Sequence, residues 1–465
     1  MRKIAIIVSA LLLMSLQSFS LPSSEVNNYT PHPPIIIEGN DDFTPENGVI
    51  GGNGTKENPY IIEGWEINAS EEWRGITIKD TTAYAVIRKC YIHDAGCAIF
   101  INNASNIIIQ NLITEFNNFG ISIITSKNIY VENCYTESIY LNTDENCSIK
   151  NCHITHSAQI IESVKSSIIS NFIGKGLLIK GLKQEHFFHN ILNNTAINGS
   201  ILYYVNKSNV KVKENAAQIF IIGCKNFEIS MNTSNVMVAV EMVYSSNISI
   251  INSGFYGKMA WASVFGINSS DISISNSKFK NNGCSIFLHA VSNFEIKNSY
   301  FAFYESGLVA ELSKNGIVRD CTFENGEFGL EFYLCRNIVI KHCNIHDNEC
   351  VGAMAQGIIG FTIYKCNVYN NGDDCGGGIG VSQGIFVRIN SNNIFNNSYY
   401  GIYADFSIVN AMHNYYGSFF GPSRNRTHPL RGDIVYGFAS IIITFPWKVF
   451  PVLTKAEYCS QKVKK

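Results

Sequence analysis

Gly120-Ile121-Ser122-Ile123, followed by Asn128-Ile129-Tyr130-Val131-Glu132-Asn133-Cys134, returns later in the chain as Gly329-Leu330-Glu331-Phe332 and Asn337-Ile338-Val339-Ile340-Lys341-His342-Cys343. Partial copies stand at Asn106–Asn111, Asn293–Asn298 and Asn315–Cys321. A repeat of roughly 20 to 25 residues built from short alternating segments is the mark of a β-solenoid, because each unit buries its apolar side only against its neighbours. Within one unit, alternation sends Ile121 and Ile123 to one side and Ser122 and Ile124 to the other, and Ile129 with Val131 repeats the inward pattern in a second strand.

Polar corners, Asn117-Asn118 before and Glu137-Ser138 after, close the unit. Asn tolerates left-handed backbone angles, so stacked Asn side chains are expected to bond from coil to coil. Coils of equal sense stack each strand on its equivalent and give parallel sheets, right-handed by the general crossover preference. The expected fold is all-β, a right-handed parallel β-helix of roughly 16 rungs, on the order of 75 Å long at strand spacing and capped at both ends.

The 465 residues therefore form one elongated domain. The expected division is a signal peptide over 1–20, an N-terminal segment and cap over 21–74, the β-helix over 75–417 and a C-terminal cap over 418–465. Arg2 and Lys3, the apolar run Ile4–Leu13 and Ser18-Phe19-Ser20 read as a secretory signal. A membrane partner is expected only if that segment stays uncleaved as an anchor. Charged residues are 15% of the chain and the net charge is -2, so no global field attracts nucleic acid. Cys90, Cys134, Cys152, Cys321, Cys343 and Cys366 occupy one slot, filled elsewhere by Leu112 and Ser299, which reads as free thiols at a small buried position.

The opening Asn58-Pro59-Tyr60-Ile61-Ile62, the closing Asn414-Tyr415-Tyr416-Gly417 with Gly421-Pro422, and the text of the rungs resemble the NosD-like, pectin-lyase-like right-handed parallel β-helix proteins of archaeal and bacterial surfaces. The resemblance covers most of the mature chain and implies the fold. It does not select an activity, because lyases, hydrolases, epimerases, adhesins and a periplasmic copper-binding accessory protein share that scaffold.

Aligning rungs on their first strand places His289, Glu311, Tyr333 and Gln356 at one outward position, with Glu331 two residues before Tyr333 on the same face. A His with two carboxylates fits acid–base chemistry on a sugar, with His289, Glu311 and Glu331 as candidate catalytic groups. Tyr333 and Gln356 are the matching candidates for substrate contact. Lys297, Arg319 and Lys341 form a cationic row suited to the carboxylates of an acidic polysaccharide, or simply to solubility. Asn142-Thr143-Asp144 and Asp373-Asp374 are similar to polygalacturonase motifs but lie about ten rungs, on the order of 50 Å, apart and cannot share a site.

No cofactor is expected. Ca²⁺ is a candidate at Asp373-Asp374 before Gly376-Gly377-Gly378. His342, His346 and Cys350 have helix-like spacing on what should be a strand and a corner, and His93-Asp94 with His346-Asp347 reads as turn chemistry. The expected role is an exported surface protein that binds polysaccharide or a cell-envelope glycan, with processing of that polymer left open. A structural envelope or adhesion protein is the alternative, and a NosD-type copper accessory protein the second.

Overall fold

The computed structural model describes residues 29–213, 216–257, 261–373, 376–424 and 430–454. It is a solenoid of about 16 turns with 58% of its residues in strands. A coil of the amino-terminal half has a first strand Phe119–Ile124, a second Lys127–Glu132 and a short third Tyr135–Thr136. The first strand pairs in parallel with Cys97–Asn102 on one side and Ile139–Asn142 on the other. Ile121, Ile123, Ile129 and Val131 are buried, as the alternation requires. A coil of the carboxyl-terminal half repeats the plan in Phe328–Tyr333, Arg336–Lys341 and Asn344–His346.

The corners follow the Asn chemistry. Asn128 donates to Asn106 at 3.2 Å and Asn146 donates to Asn128 at 2.7 Å, and all three hold positive φ. A second ladder runs from Asp271 through Asn293 and Asn315 to Asn337. The six cysteines of the repeated slot are free and buried. Cys350 is disulfide-bonded, while Cys375 and Cys459 lie outside the described residues. In the carboxyl half, Phe255, Phe279, Phe301 and Phe323 stack along the core at centroid spacings of 4.8, 4.6 and 4.4 Å.

Two features depart from the uniform rod. The first concerns the ends. Ile35–Glu38 already pairs in parallel with Arg74–Lys79, and at the other end Gly432–Phe438 and Ile441–Ile443 pair in parallel with Ile402–Asp405 and Ile408–Asn410. Boundaries at 74/75 and 417/418 thus fall inside continuous ladders, because out-of-period, aromatic text still supplies strands in register. Tyr60–Glu63 with antiparallel Val49–Gly51 closes the amino end, where Trp65 Nε1 donates to Gly48 O at 2.8 Å.

The second departure is an elbow. Asn194–Ala196 pairs antiparallel with Gly199–Val205, which then pairs in parallel with Ala216–Ile222. One twenty-stranded sheet therefore collects the short third strands of the amino half and the first strands of the carboxyl half. The sheet of amino-half first strands ends at Leu177–Lys180, lying against the outer face of the carboxyl half, where Leu178 packs with Met237, Val238, Ala262 and Phe265.

Candidate functional site

The inner corner of that elbow holds a groove of about 660 Å³, within the range of small-ligand clefts. Its floor is one outward column of the amino-half first strands, Phe100, Ser122, Tyr140 and Gln159, in register. Exposed aromatics flank it: Trp73 is 61% and Phe119 56% exposed. Trp73 lies on the backbone of Gly96, where a Cβ would come within 2.4 Å of the indole, so only glycine lets the ring sit there. The Arg74 guanidinium stacks 3.6 Å above the Phe100 ring. Lys175 and Met237 form the far wall, joined by a 2.8 Å bond from Met237 N to Lys175 O. His156 stands on the rim.

Glu137 also lines the groove, but its carboxylate is taken up by Thr114 Oγ1, Asn117 N and Asn117 Nδ2 at 2.5, 2.8 and 2.9 Å. It fixes a corner and is not a free base. The site thus combines flat apolar rings with cations and neutral polar groups. Pyranose faces stack on such rings, and cations and amides hold the edges of a sugar.

The residues singled out from the sequence lie on the carboxyl half. His289, Glu311, Tyr333 and Gln356 stand in one register. His289 Nδ1 is 3.2 Å from Glu311 Oε2, and both side chains are over a third exposed. Glu331 differs from the expected exposed carboxylate. It points outward but is buried in a column shared with Phe287, Val309 and Met354, and it accepts hydrogen bonds from Ser306 Oγ and Tyr333 Oη at 2.5 Å each. Burial and that bond to Glu331 both push the Tyr333 phenol upward.

Lys297, Arg319 and Lys341 are also in register. Lys297 and Arg319 are already paired, both with Glu295 at 2.6 and 2.8 Å, and Arg319 also with Asp320 at 2.8 Å. Burial raises the Glu295 carboxyl, and the bonds from Lys297 and Arg319 outweigh it and hold it below the usual range. A clamp for external carboxylates is therefore largely spent within the rod.

The remaining motifs have partners within the chain where they are described. Asp144 is buried and accepts from Ser126 N and Asn142 N at 2.7 and 2.8 Å, while burial pushes its carboxyl up to about 7. Asp373 accepts from Ser398 Oγ at 3.3 Å, and Asp374 lies outside the described residues. His93 and His346 each bond the following aspartate at 2.7 Å, and His346 also meets Glu324 at 3.3 Å. His342 sits 3.5 Å from Asp320. With Cys350 in a disulfide, His342, His346 and Cys350 do not converge, and among the described residues no group of three His, Cys, Asp or Glu could hold a metal.

Residues 74–218 and 284–415, more than half of the chain, match the right-handed beta helix region, and the chain belongs to that family. No curated protein matches it. Among solved structures it is similar to the periplasmic alginate epimerase AlgG, at 9% identity and a TM-score of 0.32 over 83% of this chain and 85% of that one. It is also similar to the A-module of the Azotobacter vinelandii mannuronan C-5 epimerase AlgE6, at 12% identity and TM-score 0.26 over 87% and 99%. A third is the pectate lyase Bsp165PelA from Bacillus sp. N165 in complex with trigalacturonate, at 10% identity and TM-score 0.25 over 57% and 93%. These likenesses are of fold alone.

Proposed function

We propose that this chain is an exported surface protein that binds polysaccharide, with the elbow groove as its principal subsite. The observation that carries the reading is the placement of exposed Trp73 and Phe119 beside a floor of Phe100 and Tyr140, with Arg74 and Lys175 at the edges. His289, Glu311, Tyr333 and Gln356 form a second polar patch on the first strands beyond the elbow and extend the contact for a long polymer. Export rests on the amino-terminal basic and apolar run, which lies outside the described residues. No helix among the described residues is long and apolar enough to cross a membrane.

The test is calorimetric titration of the purified protein with neutral and acidic oligosaccharides, repeated with Trp73→Ala and Arg74→Ala. Binding lost in both variants supports the groove. Binding kept in both moves the site to the carboxyl half, where His289→Ala and Glu311→Gln decide. Absence of binding to any glycan returns the chain to the structural class.

A further inference from the structure

The asparagine ladder at the corner between first and second strands changes character near the carboxyl-terminal end. Asn293, Asn315 and Asn337 occupy it in successive coils. Strand register then places Gly360, Phe386, Ile408 and Ile441 at the same position. Phe386 keeps the left-handed backbone of the ladder, with φ of 59°. That conformation disfavours a bulky side chain, and exposing a phenyl ring adds a second cost. Ile385, Phe406 and Phe438 lie beside it, Phe406 and Phe438 edge-to-face at 5.5 Å, and these six side chains are between 52% and 73% exposed. The patch reaches the last strand of the eleven-stranded sheet, Ile441–Ile443, which among the described residues pairs on one side only, with Ile408–Asn410. No charged residue stands between Asp433 and Lys448 to guard that edge.

We infer that this end is a self-association surface on which a second copy of the chain docks, its Ile441–Ile443 strand antiparallel to the first across a twofold axis. An open strand edge presents backbone donors and acceptors that another strand satisfies and lipid does not. A twofold contact sets the same patch against itself, and its six apolar side chains meet their copies without repulsion. The area also suffices: six large apolar side chains, each offering on the order of 100 Å² here, give roughly 600 Å² per copy, most of the ~800 Å² per partner of a standard interface.

Sedimentation velocity on the purified protein over a range of concentrations tests this. The unaltered chain is expected as a dimer. Phe386→Asn with Ile408→Asn, which restores the ladder residue and so keeps the fold, is expected to weaken dimerisation on the order of a hundredfold. Ile441→Lys alone sets like charges against each other across the axis and is expected to yield monomer without touching the rest of the ladder. Leu334→Asn, an equally exposed change at mid-rod, leaves the dimer intact. A monomeric unaltered chain overturns the inference, whether or not it binds vesicles or another protein through the patch. A dimer that survives Ile441→Lys overturns it as well.

Discussion

The side-chain amide of Gln218 pairs with both backbone groups of Leu177: Oε1 accepts from Leu177 N at 2.7 Å, and Nε2 donates to Leu177 O at 2.9 Å. Leu177 belongs to the last strand of the amino-half sheet, whose edge would otherwise end in unpaired groups inside the protein. Gln218 comes from the carboxyl half and imitates the missing strand. Its Nε2 also donates to Val238 O at 2.6 Å, so one amide binds three peptide groups across the elbow. Replacing it by Leu removes the partner of one buried N–H and two buried carbonyls, at about 1–3 kcal/mol each. Gln218→Leu is therefore expected to lose at least about 3 kcal/mol in urea denaturation and to loosen the groove wall built from Lys175 and Met237.

The phenylalanine stack should fail locally. Phe301 lies between Phe279 and Phe323 with interplanar angles of 8° on both sides. Phe301→Ala leaves a void that coils fixed by their neighbours cannot collapse to fill, at about 3–5 kcal/mol. Because a solenoid's contacts run only to adjacent repeats, hydrogen exchange should accelerate in the coils around 279–323 and stay slow in the amino half.

Period and alternation made the register legible, and with it the His289–Glu311 contact, the asparagine ladders and the thiol slot. Depth was not legible. Alternation says that Glu331 points outward, but its burial depends on Phe287, Val309 and Met354, which stand in other coils of the same column. The groove was hidden for a different reason. Lys175 and Met237 meet only because the hairpin of Asn194–Ala196 with Gly199–Val205 hands one sheet from third strands to first strands. Read as text, that hairpin is one more pair of short polar-bounded strands.

The two candidate faces separate by mutation. Lys297 and Arg319 spend their charge on Glu295, and partly exposed pairs of this kind contribute little to stability or recognition. Arg319→Gln is thus expected to leave glycan affinity within about twofold of the unaltered chain. Trp73→Ala, which removes a stacking ring, should weaken binding by at least about tenfold. Calorimetry of both variants against one oligosaccharide checks the contrast; a large loss with Arg319→Gln and none with Trp73→Ala would reverse the assignment.

His189 gives the elbow a definite pH dependence. Its Nε2 bonds His186 O at 2.9 Å while Nδ1 accepts from Ser166 N at 3.3 Å, an arrangement that requires the neutral ring with its proton on Nε2. Burial pushes the imidazole pKa down to about 4 from an ordinary 6.5. The folded state thus binds the proton less readily than the unfolded chain, so stability from this group is full above pH 6.5 and is lost as pH falls toward 4. The full loss is on the order of 3 kcal/mol. Asp144 and Asp433, raised by burial to about 7 and 6, act in the opposite sense. The informative quantity is therefore the difference between the unaltered chain and His189→Gln, in which both aspartates cancel. Between pH 7.5 and 4.5 the denaturation midpoint of the unaltered chain should fall relative to that of the variant, and an unchanged difference between the two proteins would mean that His189 does not titrate with folding.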